Sequence, residues 1–365
     1  VDGPYFPYNF SILAFRAWLG GKHFAKGGGC QNRHDIPYLK PTKETLMPKK
    51  HYLTIAAAAM LGLSSLSTAF AGTETTDTSK DGKTVTPPCP VSYITGDFGV
   101  TFTSEYISRG IVEADQTKGV IGQPYLDLYF KLYSGDANSW FINSVSAQLS
   151  FWADIGSNHS TASAGSTVPD WYEFDWMPGI SIGFAQKFTL TVQYFEFDSP
   201  AGTFNTARSI NANLTYDDSS LLGAFSLHPH FTVLYELGAP GSAGLGPKGW
   251  YYELGVAPSY TFLKSSKYPI TLAVPFTLGL GDNGGFYSFI DGAGKVHNNS
   301  FGYFSTGPSV SVPLAFIPSG FGSWTLTAAY TYYYEGTTVR AADAPPLGSG
   351  ANSRNVFSGA IGCTF

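Results

Sequence analysis

Ten ionisable side chains fall where an extended chain would turn them to one common side: Glu105, Arg109, Asp127, Lys131, Asp154, Glu173, Asp175, Glu236, Glu253 and Glu335. Side chains alternate along a strand, so residues two or four apart, such as Glu173 and Asp175 or Glu105 and Arg109, share a face. Eight of the ten are carboxylates and two are cations. Around an aqueous space that balance favours cations over anions. Glu105 and Arg109 would stand about 13 Å apart at the strand rise of ~3.3 Å per residue. That is too far for direct contact, so each is expected to pair with a neighbouring strand and to stiffen the wall, a filtering role being the alternative.

Other groupings promise less. His228 and His230 flank Pro229 and read as two imidazoles on one strand face, a beginning for a metal site. No third ligand is identifiable, and the favoured reading is a pair of ordinary rim residues. His159 sits between Ser157 and Ser160. A catalytic serine needs a histidine within hydrogen-bond reach, itself oriented by a third group, and a flexible Ser/Thr/Gly loop offers no such order. No catalytic residue is therefore assigned. Walker, Rossmann, zinc-finger and CxxC spacings are absent, and neither metal nor cofactor is expected. Cys89 and Cys363 could bridge in an oxidising compartment. Cys363, however, shares its parity with Phe357, Ile361 and Phe365, which turns it toward the apolar side.

The elements that must position these groups are strands. From Gly96 onward, twelve stretches alternate with period two: 96–108, 125–132, 144–151, 173–184, 188–194, 209–216, 230–237, 252–260, 270–278, 304–314, 324–332 and 356–365. One parity is apolar, as in Phe98, Val100 and Phe102; the other is Ser, Thr, Gly, Asn and acid, as in Ser144, Ser146, Gln148 and Ser150. An even number of strands with one greasy and one wet face predicts an all-β fold, a transmembrane antiparallel barrel of about twelve strands. Short links, such as Gln186-Lys187, alternate with longer ones, such as Gly281–Asn298, as periplasmic turns alternate with extracellular loops. Trp140, Trp171, Trp176, Trp250 and Tyr332 cluster near strand ends, where interface girdles lie.

The ends of the chain read differently. Met47-Pro48-Lys49-Lys50 opens a secretory signal over 47–71, with an Ala/Leu-rich core and Ala69-Phe70-Ala71 as its cleavage site. Residues 1–46 then make little sense and read as an upstream extension from a misplaced start. Residues 72–95 are a polar periplasmic leader, and 96–365 are the barrel. Phe365 ends an alternating strand, outward at the periplasmic rim.

Composition agrees. The 365 residues are 43% hydrophobic and 16% aromatic but only 13% charged, against about 25% in ordinary soluble domains. Residues 1–71 hold eight Lys/Arg and three Asp/Glu, so the remainder carries 13 basic and 23 acidic side chains. That excludes the basic footprint of a nucleic-acid partner.

The stretch Val100-Thr101-Phe102-Thr103-Ser104-Glu105-Tyr106-Ile107-Ser108-Arg109-Gly110 resembles the first strand of the TorF-type putative porin family. Trp171–Asp175 and Phe188–Phe195 resemble later strands of it, and the likeness spans about residues 96–216. It implies a bacterial outer-membrane barrel with a pore, and it makes Phe365 an assembly signal; it implies no substrate and no catalytic residue. The expected function is passive diffusion of small solutes with mild cation preference. The rivals are a non-conducting structural or adhesive barrel, which inward Tyr125, Tyr129 and Trp152 favour, and an outer-membrane barrel hydrolase. The partners to expect are outer-membrane lipid, small solutes and the outer-membrane assembly machinery of a Gram-negative cell. The sequence leaves a homo-oligomer open.

Overall fold

A chain with one apolar and one polar face per strand must hide both sets of backbone groups and sort its two faces. In the computed structural model the strands do this by closing into an antiparallel barrel. The structure describes residues 93–115, 120–135, 141–156, 170–219, 225–238, 241–246, 248–343 and 350–365. The upstream extension, the signal, nearly all of the leader, Cys89, Trp140 and His159 lie outside them.

In chain order the strands are β1 (Ile94–Thr103), β2 (Glu105–Ser108), β3 (Ile111–Asp115), β4 (Ile121–Ser134), β5 (Ile142–Gly156), β6 (Trp171–Phe184) and β7 (Phe188–Asp198). Then come β8 (Ala207–Tyr216), β9 (Phe225–Ser226), β10 (His230–Glu236), β11 (Trp250–Val256), β12 (Ser259–Phe262), β13 (Ile270–Ala273) and β14 (Phe276–Gly281). The remainder are β15 (Ser288–Ile290), β16 (Val296–Asn298), β17 (Phe301–Thr306), β18 (Ser309–Pro313), β19 (Ser323–Glu335), a short helix α1 (Thr337–Ala342) and β20 (Ser353–Thr364).

Twelve staves make the wall, as the alternation predicts. They are β1, β4, β5, β6, β7, β8, β9 with β10, β11 with β12, β13 with β14, β17 with β18, β19 and β20. The ring closes where β20 pairs with β1, with Phe98 opposite Cys363 and Val100 opposite Ile361. Gly96 and Phe365 exchange backbone hydrogen bonds of 3.0 and 2.9 Å at the end of that seam. The two faces sort by parity. Phe102, Leu326 and Phe357 are 52%, 51% and 62% exposed on the outside, whereas Asp154 and Glu335 are 0% and 1% exposed inside. An outward apolar band over a polar interior is the surface a bilayer-spanning barrel presents.

Two departures from regular alternation matter. The first stave was expected to run through Ser108 but leaves the wall after Thr103. Ser104 holds β20 with two bonds, its amide to the Phe357 carbonyl and its hydroxyl accepting from the Phe357 amide, each 3.0 Å. Thr103 Oγ1 donates to the Glu105 carbonyl at 3.0 Å, bending the chain inward. β2 and β3 then pair only with each other. Second, four adjacent staves are interrupted at nearly one height by Pro229, Pro258, Pro275 and Pro308. Each proline removes one ladder donor without shifting the register. Ser259 faces Ala273 below the break and Val256 faces Phe276 above it. The carbonyls still accept, with Val274 N to Pro258 O at 2.9 Å and Tyr330 N to Pro308 O at 3.0 Å.

Candidate functional site: a lumen crossed by a hairpin

A cavity of about 380 Å³ with a mixed polar and apolar lining follows the inside of β1 from Asp97 to Thr103 and reaches the β2–β3 hairpin. Its two sides differ. From β14 round to β20 it is lined by hydroxyls, among them Thr277, Ser305, Thr325, Thr327 and Ser358. From β4 to β7 it is lined by Tyr125, Trp152, Met177, Phe195 and Phe197.

The hairpin is held from several sides. Tyr106 packs at a tilt against Trp152 and meets Tyr172 edge-on, with centroids 5.1 and 6.4 Å apart. Arg109 takes a positive φ of 51° and Gly110 one of 80° at the tip. A side chain on Gly110 would lie 2.6 Å from the Tyr303 ring, so glycine is what lets the tip rest there. Tyr287, reaching in from the β14–β15 link, donates to the Arg109 carbonyl at 2.6 Å. The Arg109 guanidinium lies over Phe195 and Phe197, 5.6 and 5.4 Å from their centroids. At the stem, Arg354 on β20 sits 3.5 Å from Glu105 and 3.3 Å from Glu335, and hydrogen-bonds Asp343 at the end of α1. One buried cation thus ties hairpin, wall and helix together.

The ten residues singled out in the sequence separate into three situations. Glu105 and Arg109 are not on the wall of the first stave, because the chain leaves the wall at Ser104; they belong to the hairpin. Asp127, Asp154, Glu173, Asp175, Glu236, Glu253 and Glu335 are wall residues turned inward and buried. Lys131 is exposed at the short-turn end, its amide bonded to the Tyr93 carbonyl at 2.9 Å.

Most of the inward acids have partners on the wall or in the links. Gln123 donates to Asp154 at 3.0 Å. Glu253 receives Tyr251 at 2.5 Å and Tyr303 at 3.0 Å and has His230 3.4 Å away. Glu236 Oε1 accepts from Ser242 Oγ and the amides of Ala243 and Gly244 at 2.6, 2.7 and 2.8 Å. Glu173, carrying the proton, hydrogen-bonds to Asp175. Asp127 stands directly opposite Asp97 on β1, an acid the sequence reading passed over.

The two histidines do not share a strand face. Pro229 ends the strand between them; His228 sits in a turn with φ of 45° while His230 opens β10. His228 Nε2 lies 2.7 Å from Ser226 Oγ, a serine–histidine contact not anticipated from spacing. Asp218 accepts the backbone amides of Leu227 and His228 at 2.8 and 3.1 Å, so it shapes the turn. Cys363 has the outward parity expected, yet it is covered by the 319–322 turn rather than facing lipid, its sulfur 3.5 Å from the Phe321 carbonyl. Phe365 is partly exposed at the short-turn rim and packs beside Phe98, centroids 6.1 Å apart.

Tyr106, Phe195, Phe197, Tyr287, Tyr303 and Arg354 were missed. Parity could have found Phe195, Phe197 and Arg354, since each continues an inward series. Nothing local marks Tyr287, which lies in a long link.

No family model matches the chain, and no curated protein matches it. Among solved structures it is similar to an outer membrane channel from Pseudomonas putida F1, at 8% identity over 77% of this chain and 100% of that one, TM-score 0.39. It is also similar to LpxR from Salmonella typhimurium, at 8% identity over 74% and 100% with TM-score 0.37. A third likeness is to the transport unit of the autotransporter AIDA-I from Escherichia coli, at 12% identity over 77% and 92% with TM-score 0.34. At such values these likenesses assign neither a substrate nor an activity.

Proposed function

We propose that this chain is an outer-membrane, porin-like channel that passes small solutes by passive diffusion and mildly prefers cations. The carrying observation is the cavity running along β1, hydroxyl-lined on one side, inside a closed, apolar-skinned barrel. Asp97, Asp175 and Glu253 on the wall and Glu105 on the hairpin line it against the single guanidinium of Arg109, and acid-lined passages favour cations. By the usual asymmetry of such barrels, the short-turn end faces the periplasm and the hairpin end the outside. The resemblance to TorF-type porins over 100–110, 171–175 and 188–195 belongs to the same reading, as does an assembly role for Phe365. Lipid, solutes and the assembly machinery are the partners it implies, and no enzymatic activity is part of it.

One observation favours a second reading, a barrel that does not conduct. The hairpin tip is pinned by Tyr287 and Tyr303 across the lumen, and small barrels are often filled by their own side chains. Planar-bilayer recording in asymmetric KCl separates the two. The channel reading expects unit conductance steps and a reversal potential of cation-selective sign. A silent bilayer supports the filled barrel, and a reversal of anion-selective sign refutes the cation preference.

A further inference from the structure

Arg109 and Asp175 line the same cavity, and each keeps unused bonding capacity. Arg109 makes no ion pair among the described residues; its side chain donates only to Ser108 Oγ, at 3.0 Å, and its Nε has no partner. Asp175 has an oxygen, Oδ1, without a hydrogen-bond partner although the residue is 4% exposed. The two charges act on one another yet do not close into a pair. The reason is geometric. The Arg109 backbone is fixed by Tyr287 and its guanidinium lies over Phe195 and Phe197, while Asp175 is tied to Glu173 on the wall. Behind the two phenylalanines, Glu236 Oε2, Gln193 Nε2 and Ser209 Oγ also lack partners. In the register Ser209 stands between Phe195 and Glu236.

Buried polar groups left unmatched are costly, the more so when charged, so this arrangement is poised for a ligand. A simple cation would meet the fixed Arg109, and a simple anion would meet Asp175 and Glu253. A solute bearing both charges satisfies both. Met177, Phe195 and Phe197 supply an apolar floor between them. From this geometry we infer that the hairpin and wall form a binding site for a small zwitterion, an α-amino acid with an apolar side chain, its carboxylate on Arg109 and its ammonium on Asp175. This names a solute class for the channel proposed above and rests on that reading. Arg109 and Asp175 are then specificity-determining residues of the lumen.

The test is isothermal titration of the detergent-purified full chain with three probes: L-leucine, 3-methylbutylamine and 4-methylpentanoate. The amine lacks the carboxylate and the acid lacks the ammonium. A site built to bond a group rejects the analogue that lacks it, so leucine is expected to bind at least about tenfold more tightly than either. Arg109→Gln is expected to erase the advantage over the amine and Asp175→Asn the advantage over the acid, with unchanged circular dichroism showing that the barrel is intact. Amine binding equal to leucine would make this a plain cation site and overturn the inference; so would equal binding of the acid, or no saturable binding at all. The wild-type comparison needs no variant to fold. Leucine binding in a protein that conducts nothing upholds the site and strikes the channel; conductance without leucine binding does the reverse.

Discussion

Two hairpins are inserted between staves of this barrel, and they meet opposite fates. The β2–β3 hairpin folds into the lumen, whereas the β15–β16 hairpin presents Ile290 and Val296 outward at 68% and 61% exposure. Both are short and antiparallel, so strand propensity does not separate them. Their partners do. The first offers Tyr106 to Trp152, Gly110 to Tyr303, the Arg109 carbonyl to Tyr287 and Glu105 to Arg354. The second largely satisfies itself. Asp291 accepts the amides of Ala293 and Lys295, both at 2.9 Å, and pairs with His297 at 2.8 Å; His297 stacks on Phe289 with centroids 4.8 Å apart. A hairpin goes inside when the wall already holds complements to its polar groups, and stays out when its turn closes its own bonds.

The largest effect should come from removing the cation at the stem of the inner hairpin. Arg354→Met leaves Glu105, Glu335 and Asp343 together without a counter-charge in a buried place. Truncating one partner of such a network costs roughly 3–5 kcal/mol, read as a lower urea midpoint for barrel unfolding. An unchanged midpoint would mean that the two hairpins differ for some other reason. A smaller effect is expected at the tip. Gly110→Ala must place a Cβ 2.6 Å from the Tyr303 ring at φ of 80°, a crowding and backbone penalty of about 1–3 kcal/mol. The tip should lift, and amide exchange in β2 and β3 should quicken while β15 and β16 are unaffected.

The smallest effect concerns the outer hairpin and pH. The bond from His297 and the amides of Lys295 and Ala293 hold the Asp291 carboxyl below its ordinary value. A lowered folded value means that its contribution is present above the ordinary carboxylate range and is lost as pH falls through the lowered one. Amide exchange at Ala293 and Lys295 should therefore quicken on acidification at near-constant rates in the rest of the barrel. Insensitivity to acid would remove the self-capping account of this turn.

The wall was legible because burial follows parity along the staves, Cys363 under its covering turn excepted. Phe102 and Phe357 fall outside and Asp154 and Glu253 inside, as alternation alone demands. The inner hairpin was not legible for the same reason. Glu105 and Ile107 continue the period-two series of β1, and periodicity cannot tell a strand that climbs the wall from one that bends inward at Ser104. Arg109-Gly110, the residues of the turn, carried the available signal. The site suffered most from this, since Arg109 was placed on the wall and its companions Phe195, Phe197 and Tyr287 come from two distant parts of the chain. Asp175 lies on the inner face of β6, and its unused oxygen becomes visible only when every neighbour is in place.

The four prolines at one height give the wall a crease. A β-sheet resists bending across its strands through the continuity of its hydrogen-bond ladder, and here four neighbouring staves each lack a donor at the same level. On the opposite arc, β4 to β8 run without such a row. Thinning of the surrounding bilayer or sideways pressure should therefore be taken up unevenly, with the panel of β9, β12, β13 and β18 tilting as a flap about that line while the facing arc keeps its curvature.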